Sequence, residues 1–163
     1  MATERDRRLA EAVALREGGQ AEQAQPLLVA LAAEYPDDAE VQYQAAWVHD
    51  YLGLEDDAVP YYERALALGL PEPEMEGLVL GLGSTYRNVG RINDSLALLE
   101  RGVRDYPNNY AMRCFLALTR LSNGDGQEAL ALAFDVILTT SVDASIERYR
   151  RALSSYRDEL RGA

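Results

Sequence analysis

Lysine is absent, and all sixteen basic residues are arginine. That excludes a lysine-dependent phosphate loop and a lysine Schiff base. Cysteine occurs once, as Cys114, which leaves no partner for an intramolecular disulfide and no zinc cluster. Histidine also occurs once, as His49, so a metal would find no second imidazole. No run approaches the ~18 apolar residues of a membrane span, and the stretch from Met1 to Arg8 is charged, without the apolar core of a signal segment. A soluble cytoplasmic protein that does not engage the membrane is the default expectation. No Gly-rich phosphate loop, Ser/His/Asp frame or pair of inward carboxylates stands out. The segment Asn123-Gly124-Asp125-Gly126 has the look of a calcium loop, but Leu121 and Leu132 occupy its first and twelfth ligand positions. Both are apolar, and a turn between helices is the better account. His49 and Asp50 are neighbours, and adjacent residues on a helix point about 100° apart, which does not make a catalytic pair. The expectation is a protein that is not an enzyme and takes no cofactor and no metal.

What is present is acid. The net charge is −11 over 163 residues. Nucleic-acid binding needs clustered positive charge, so that partner is not expected. The charge is uneven: residues 1–81 carry 17 acids against five arginines, and residues 82–163 carry 10 acids against 11 arginines. An acidic first half favours a basic partner, or serves solubility alone. Hydrophobic residues make up 48% of the chain, enough for one continuous core.

The residues repeat. Gly19, Gly53, Gly90 and Gly124 stand 34, 37 and 34 residues apart. Five residues after each comes a small one, Ala24, Ala58, Ser95 and Ala129, and further on Pro36, Pro71 and Pro107 close the first three units. A fixed period of this length signals stacked repeats. The longer middle step places its extra residues in the loop around Gly69 to Met75. Within each unit, apolar and small residues at steps of three and four define two helical faces. The third unit is clearest, with Val79, Leu82-Gly83 and Tyr86.

This pattern predicts helices over 4–17, 21–34, 38–52, 55–68, 73–89, 92–105, 109–122, 126–139 and 143–161. Asp37 and Asn108 suit N-caps, Pro73 a first helical turn, and the glycines helix ends. The last helix carries a narrow stripe, Ile146, Tyr149, Leu153, Tyr156 and Leu160, expected to pack near Leu130, Phe134 and Ile137 and cap the final repeat. The expected architecture is one all-α domain over 1–163, a right-handed α-solenoid of four helix–turn–helix repeats (about 5–38, 39–72, 76–109 and 110–142) with a capping helix at 143–161.

The frame Val79…Leu82-Gly83…Tyr86…Gly90…Ser95…Leu99…Gly102…Pro107 resembles the tetratricopeptide repeat (TPR). The strings His49-Asp50-Tyr51-Leu52-Gly53, Ala58-Val59-Pro60-Tyr61-Tyr62 and Leu80-Gly81-Leu82-Gly83-Ser84-Thr85-Tyr86-Arg87 look like a small bacterial TPR family of unknown function. The resemblance implies a non-catalytic interaction module or scaffold whose concave groove, lined by the first helix of each repeat, takes a peptide or a partner helix. In the register of the repeat, groove-facing positions include Tyr43, Trp47, Asp50 and Tyr51 in the second unit and Ser84, Arg87 and Asn88 in the third. The fourth offers Ala111, Cys114, Leu118, Leu121 and Ser122, and the first offers Asp6, Leu9, Val13, Arg16 and Glu17. The Tyr43–Trp47–Tyr51 stripe reads either as a binding ridge or as packing. One TPR subtype grips a C-terminal carboxylate with Lys and Asn at two set positions. Here these hold Leu9 and Val13, Tyr43 and Trp47, and Leu80 and Ser84, so that clamp is absent. The alternative is a self-assembling structural protein joined through its C-terminal helix, which leaves the expected state as a monomer or weak homodimer.

Overall fold

The structure is a computed structural model that describes residues 2–162. Met1 and Ala163, the ends of the expected domain, lie outside the described residues. Among these there are nine helices and no strand: α1 (Glu4–Glu17), α2 (Ala21–Glu34), α3 (Ala39–Tyr51), α4 (Glu55–Leu68), α5 (Glu74–Asn88), α6 (Ile92–Asp105), α7 (Tyr110–Ser122), α8 (Gly126–Thr140) and α9 (Ala144–Leu160). None is long and apolar enough to cross a membrane. The residues fall into two compact units that divide between Val89 and Gly90, the linker between the two helices of the third repeat.

In the first unit each helix packs on the next, and α1 and α5 also touch α3. Close approach is set by alanines. Ala12 and Ala24 in the first repeat, and Ala46 and Ala58 in the second, have no exposed surface, so backbones near these crossings meet with little side chain between. Leu28, Leu31, Val41 and Val48 fill the rest, with Tyr62 the largest fully buried side chain. The turns use the expected glycines. Gly19 and Gly53 have φ of 78° and 72°, a left-handed conformation that closes a helix without a Cβ penalty.

Two caps stand one residue later than the spacing predicts. Asp38, not Asp37, accepts from Val41 N–H, and Asn109, not Asn108, accepts from Met112 N–H. A cap oxygen must reach the backbone three residues on, which fixes α3 and α7 to start at Ala39 and Tyr110. Asp38 is held from the other side by Arg5, through Nε at 2.8 Å and a terminal nitrogen at 2.6 Å. Burial works to raise the Asp38 carboxyl, but the Arg5 fork and the cap bonds outweigh it and hold it below its ordinary value. Asp37 pairs with Arg64 instead.

In the second unit α6 packs on α7, α7 on α8, and α8 on α9. Ala117 and Ala129 mark the α7–α8 crossing, with Met112, Leu116, Ala131 and Leu132 buried nearby. The stripe on α9 is split. Ile146, Leu153 and Leu160 are half-buried, whereas Tyr149 and Tyr156 are 60% and 59% exposed. No residue of α9 is buried, and Leu130 and Ile137 on α8 stay partly open. The seam is therefore more polar than the apolar pattern predicts. Arg157 reaches Asp135 at 3.1 Å, and Arg161 reaches Asp135 at 2.6 Å and Glu128 at 3.0 Å. Arg150 donates to the carbonyl of Leu138.

Candidate interaction surface

Contact of α1 with α3, and of α3 with α5, brings equivalent positions of three repeats side by side. Four of the predicted residues lie on the middle helix. Tyr43 is 8% exposed; it stacks on Trp47 at 5.9 Å between ring centroids and lies 6.2 Å from Tyr62. Its ring thus supports the surface from beneath. Trp47 and Tyr51 are 40% and 64% exposed and form the part of the stripe that a partner can reach. Asp50 is half-buried and accepts from Tyr62 Oη at 3.1 Å. Burial pushes the Asp50 carboxyl up from its ordinary value, and hydrogen bonds from Tyr62 and Thr85 counter only part of that. The same burial, with Asp50 alongside, raises the phenol of Tyr62. On α5, Ser84 and Arg87 are half-buried and Asn88 is exposed.

Arg16 on α1 is more closely bound to this cluster than its place in the repeat suggests. It is 6% exposed, and its guanidinium carbon sits 3.6 Å from the centroid of the Trp47 ring. Its one ion pair is an edge contact with exposed Glu17 at 3.4 Å, and its Nε has no hydrogen-bond acceptor. Burial lowers the Arg16 pKa, only partly offset by Glu17 and the phenols of Tyr43 and Tyr62. A desolvated cation–π contact contributes about 2 kcal/mol. Removing an ion from water costs several kcal/mol, so Trp47 alone does not compensate this charge. Gly77 and Gly81 on α5 are the reason the aromatic layer fits. A Cβ at Gly77 would lie 2.7 Å from Tyr43 Oη, and one at Gly81 would lie 2.7 Å from Tyr62 Oη and 3.1 Å from its Cζ.

His49 takes no part in the surface. It is 4% exposed. Its Nδ1 donates to the Ala45 carbonyl at 2.7 Å, leaving Nε2 to accept from the Gln25 amide at 3.3 Å, and its ring stacks on Tyr61. This is a packing role. Among the described residues no cluster of His, Cys, Asp and Glu could hold a metal.

Leu118 lies on α7, in the second unit. With Cys114, Ala117, Leu121, Leu130 and Ala133 it lines a shallow apolar groove between α7 and α8. Leu118 and Leu121 are 43% and 60% exposed, and Cys114 is exposed at the rim.

Solved structures share this fold. YrrB, described as a TPR protein with an unusual peptide-binding site, is 19% identical with a TM-score of 0.70, over 94% of this chain and 77% of its own. A double mutant of MamA is 19% identical with a TM-score of 0.71, over 99% of this chain and 96% of its own. A putative kinesin light chain of Podosopora anserina with nearly identical TPR-like repeats is 18% identical with a TM-score of 0.69, over 94% and 93%. No curated protein matches the chain. The family model described as Tetratrico peptide repeat matches residues 39–160. With all-α repeats and small residues at each crossing, the chain belongs to the tetratricopeptide-repeat family, a fold that generally serves protein–protein interaction.

Proposed function

We propose that the protein is a non-catalytic adaptor that binds a peptide or a partner helix on the face formed by α1, α3 and α5. The observation that carries this reading is the pair of reachable aromatics, Trp47 and Tyr51, standing on a supported layer of Tyr43 and Tyr62. Rigid, amphipathic rings of this kind anchor many interfaces. Asp50 positions the layer from below, and Ser84, Arg87 and Asn88 supply polar contacts along α5. Leu118 contributes an apolar contact of its own on the second unit. The test is capture of a partner from native lysate by wild-type protein and by Trp47→Ala, with helicity and melting curve compared. Loss of capture by a folded variant supports the face; equal capture removes it.

The second reading is self-assembly through α9. It is favoured by the exposed Tyr149 and Tyr156, next to Arg148 and Arg151, which make no ion pair among the described residues. Light scattering across concentration decides it. A strict monomer at tens of micromolar removes this reading.

A further inference from the structure

The first unit is rich in carboxylates, and most of its arginines have one. Arg5, Arg7, Arg8 and Arg64 each hold an acid in a direct ion pair. Arg16 and Arg87 are the exceptions. Arg16 has the edge contact with Glu17 alone. Arg87 makes no ion pair among the described residues and donates to the side-chain oxygen of neighbouring Asn88 at 3.0 Å. In both, Nε is buried without an acceptor. Two arginines left over among so many acids share one register: counted along the repeats, Arg16, Asp50 and Arg87 occupy the same position on α1, α3 and α5. They bracket Trp47 and Tyr51, one on each side. Asp50 satisfies neither of them; its carboxylate is taken by Tyr62.

We propose that Arg16 and Arg87 form two carboxylate-binding subsites on either side of Trp47, so that the preferred ligand is an extended peptide bearing two acidic side chains. This rests on the face proposed above as the binding surface, and it reverses the expectation of a basic partner that the net charge suggests. Surface acids act through water and are screened within about 8 Å at physiological salt. A buried guanidinium acts at contact, where a carboxylate completes its hydrogen bonds. The spacing follows from the fold. Arg16 and Arg87 are two helices apart, at about 8–10 Å per interaxial step, and an extended chain advances about 3.3 Å per residue. Acids five or six residues apart therefore match both subsites, with the intervening residues crossing the indole. Trp47 lies over Arg16 in the free protein, and a carboxylate reaching that guanidinium changes the ring's surroundings.

Trp47 is the only tryptophan, so its emission reports binding directly. The probe is the acetylated, amidated peptide Glu-Gly-Ser-Gly-Ser-Glu, compared with the same peptide carrying lysine or glutamine at both ends and with one whose glutamates are adjacent. The spaced glutamate peptide is expected to shift the emission saturably. Arg16→Gln and Arg87→Gln should each weaken it about tenfold or more, the scale of one charge-assisted bidentate contact. Arg16→Lys, which keeps charge but loses the fork, should restore part of the affinity and separates recognition from folding. No emission change up to about 1 mM peptide, equal binding of the lysine peptide, or glutamate binding unaffected by both glutamine variants overturns the proposal. If Trp47→Ala abolishes capture of the native partner while both glutamine variants retain it, the binding face stands and the acidic ligand falls. If Trp47→Ala leaves capture intact, the face itself falls.

Discussion

The phenol of Tyr62 donates to the carboxylate of Asp50 across 3.1 Å, and the bond ties α4 to the inner face of α3 beneath the exposed indole. Asp50 is the weak side of that bond. Its folded pKa lies above the ordinary value because burial disfavours the charged form. A group raised in this way lends stability fully below its unfolded pKa, and that stability is lost as pH rises through the folded value. At neutral pH the ionised carboxylate is therefore a liability. Asp50→Asn, which still accepts from Tyr62, should melt at the same temperature or higher at pH 7. It should also lose the gain that wild type shows on acidification toward the ordinary carboxyl value of 3.8. A fall of several degrees at pH 7 would refute this.

Gly81→Ala tests the aromatic layer. The new Cβ would meet Tyr62 at Oη and Cζ, and Tyr62 is 2% exposed, with nowhere to retreat. Overpacking costs about 1–3 kcal/mol. Gly77→Ala meets only the terminal hydroxyl of Tyr43 within 3 Å, with Cζ at 3.8 Å, and should cost less. Adding Tyr62→Phe to Gly81→Ala relieves the nearer clash, so the double variant should be more stable than the two separate losses predict. Simple additivity in urea melts would sink the assignment.

Arg5 and Asp38 make the opposite pH signature. The Asp38 carboxyl is held below its ordinary value of 3.8. Its contribution is present above that value and lost as pH falls through the lower, folded one. Asp38→Asn should flatten acid unfolding below about pH 4 and remove a charge-assisted contact at neutral pH. An acid limb identical to wild type would show that the clamp does not form.

Helix α9 should be the first element to detach. Leu153→Glu is expected to lower the melting temperature whatever the oligomeric state, because Leu153 is already half-buried within the single chain. Raising salt to about 1 M shortens the screening length to about 3 Å and should speed protease cutting near Val142, which is 98% exposed. Asp135→Ala should do the same at low salt, since it removes the acceptor for both Arg157 and Arg161. A cleavage rate indifferent to both changes would mean the ion pairs do not hold the helix.

Much of the fold is legible in the residues because the repeat encodes it twice, once in the small residues at the crossings and once in the turn glycines. Ala24, Ala58, Ser95 and Ala129 fit both predicted period and observed burial. Caps are harder, since Asp37 and Asp38 are chemically equivalent and only backbone direction selects between them. Periodicity also cannot separate a buried stripe from a half-covered one. Tyr149 and Tyr156 match the spacing of Leu153 yet stay 60% and 59% exposed. Tyr43 and Trp47 show the same limit on α3, one beneath the surface and one on it. That Arg16 keeps only an edge contact with Glu17 and Arg87 makes no ion pair among the described residues is beyond reach of the sequence altogether, because pairing depends on which acids the packing brings near.

The indole of Trp47 and the thiol of Cys114 are each unique in the chain and each exposed. One lies in each compact unit. A fluorescent acceptor attached to Cys114 would draw energy from a single donor, without a single residue being engineered. Transfer efficiency then becomes a ruler between the two halves of the molecule, readable before and after a ligand is added. An adaptor that flexes on binding would change that efficiency, and one that receives its partner as a rigid template would leave it constant.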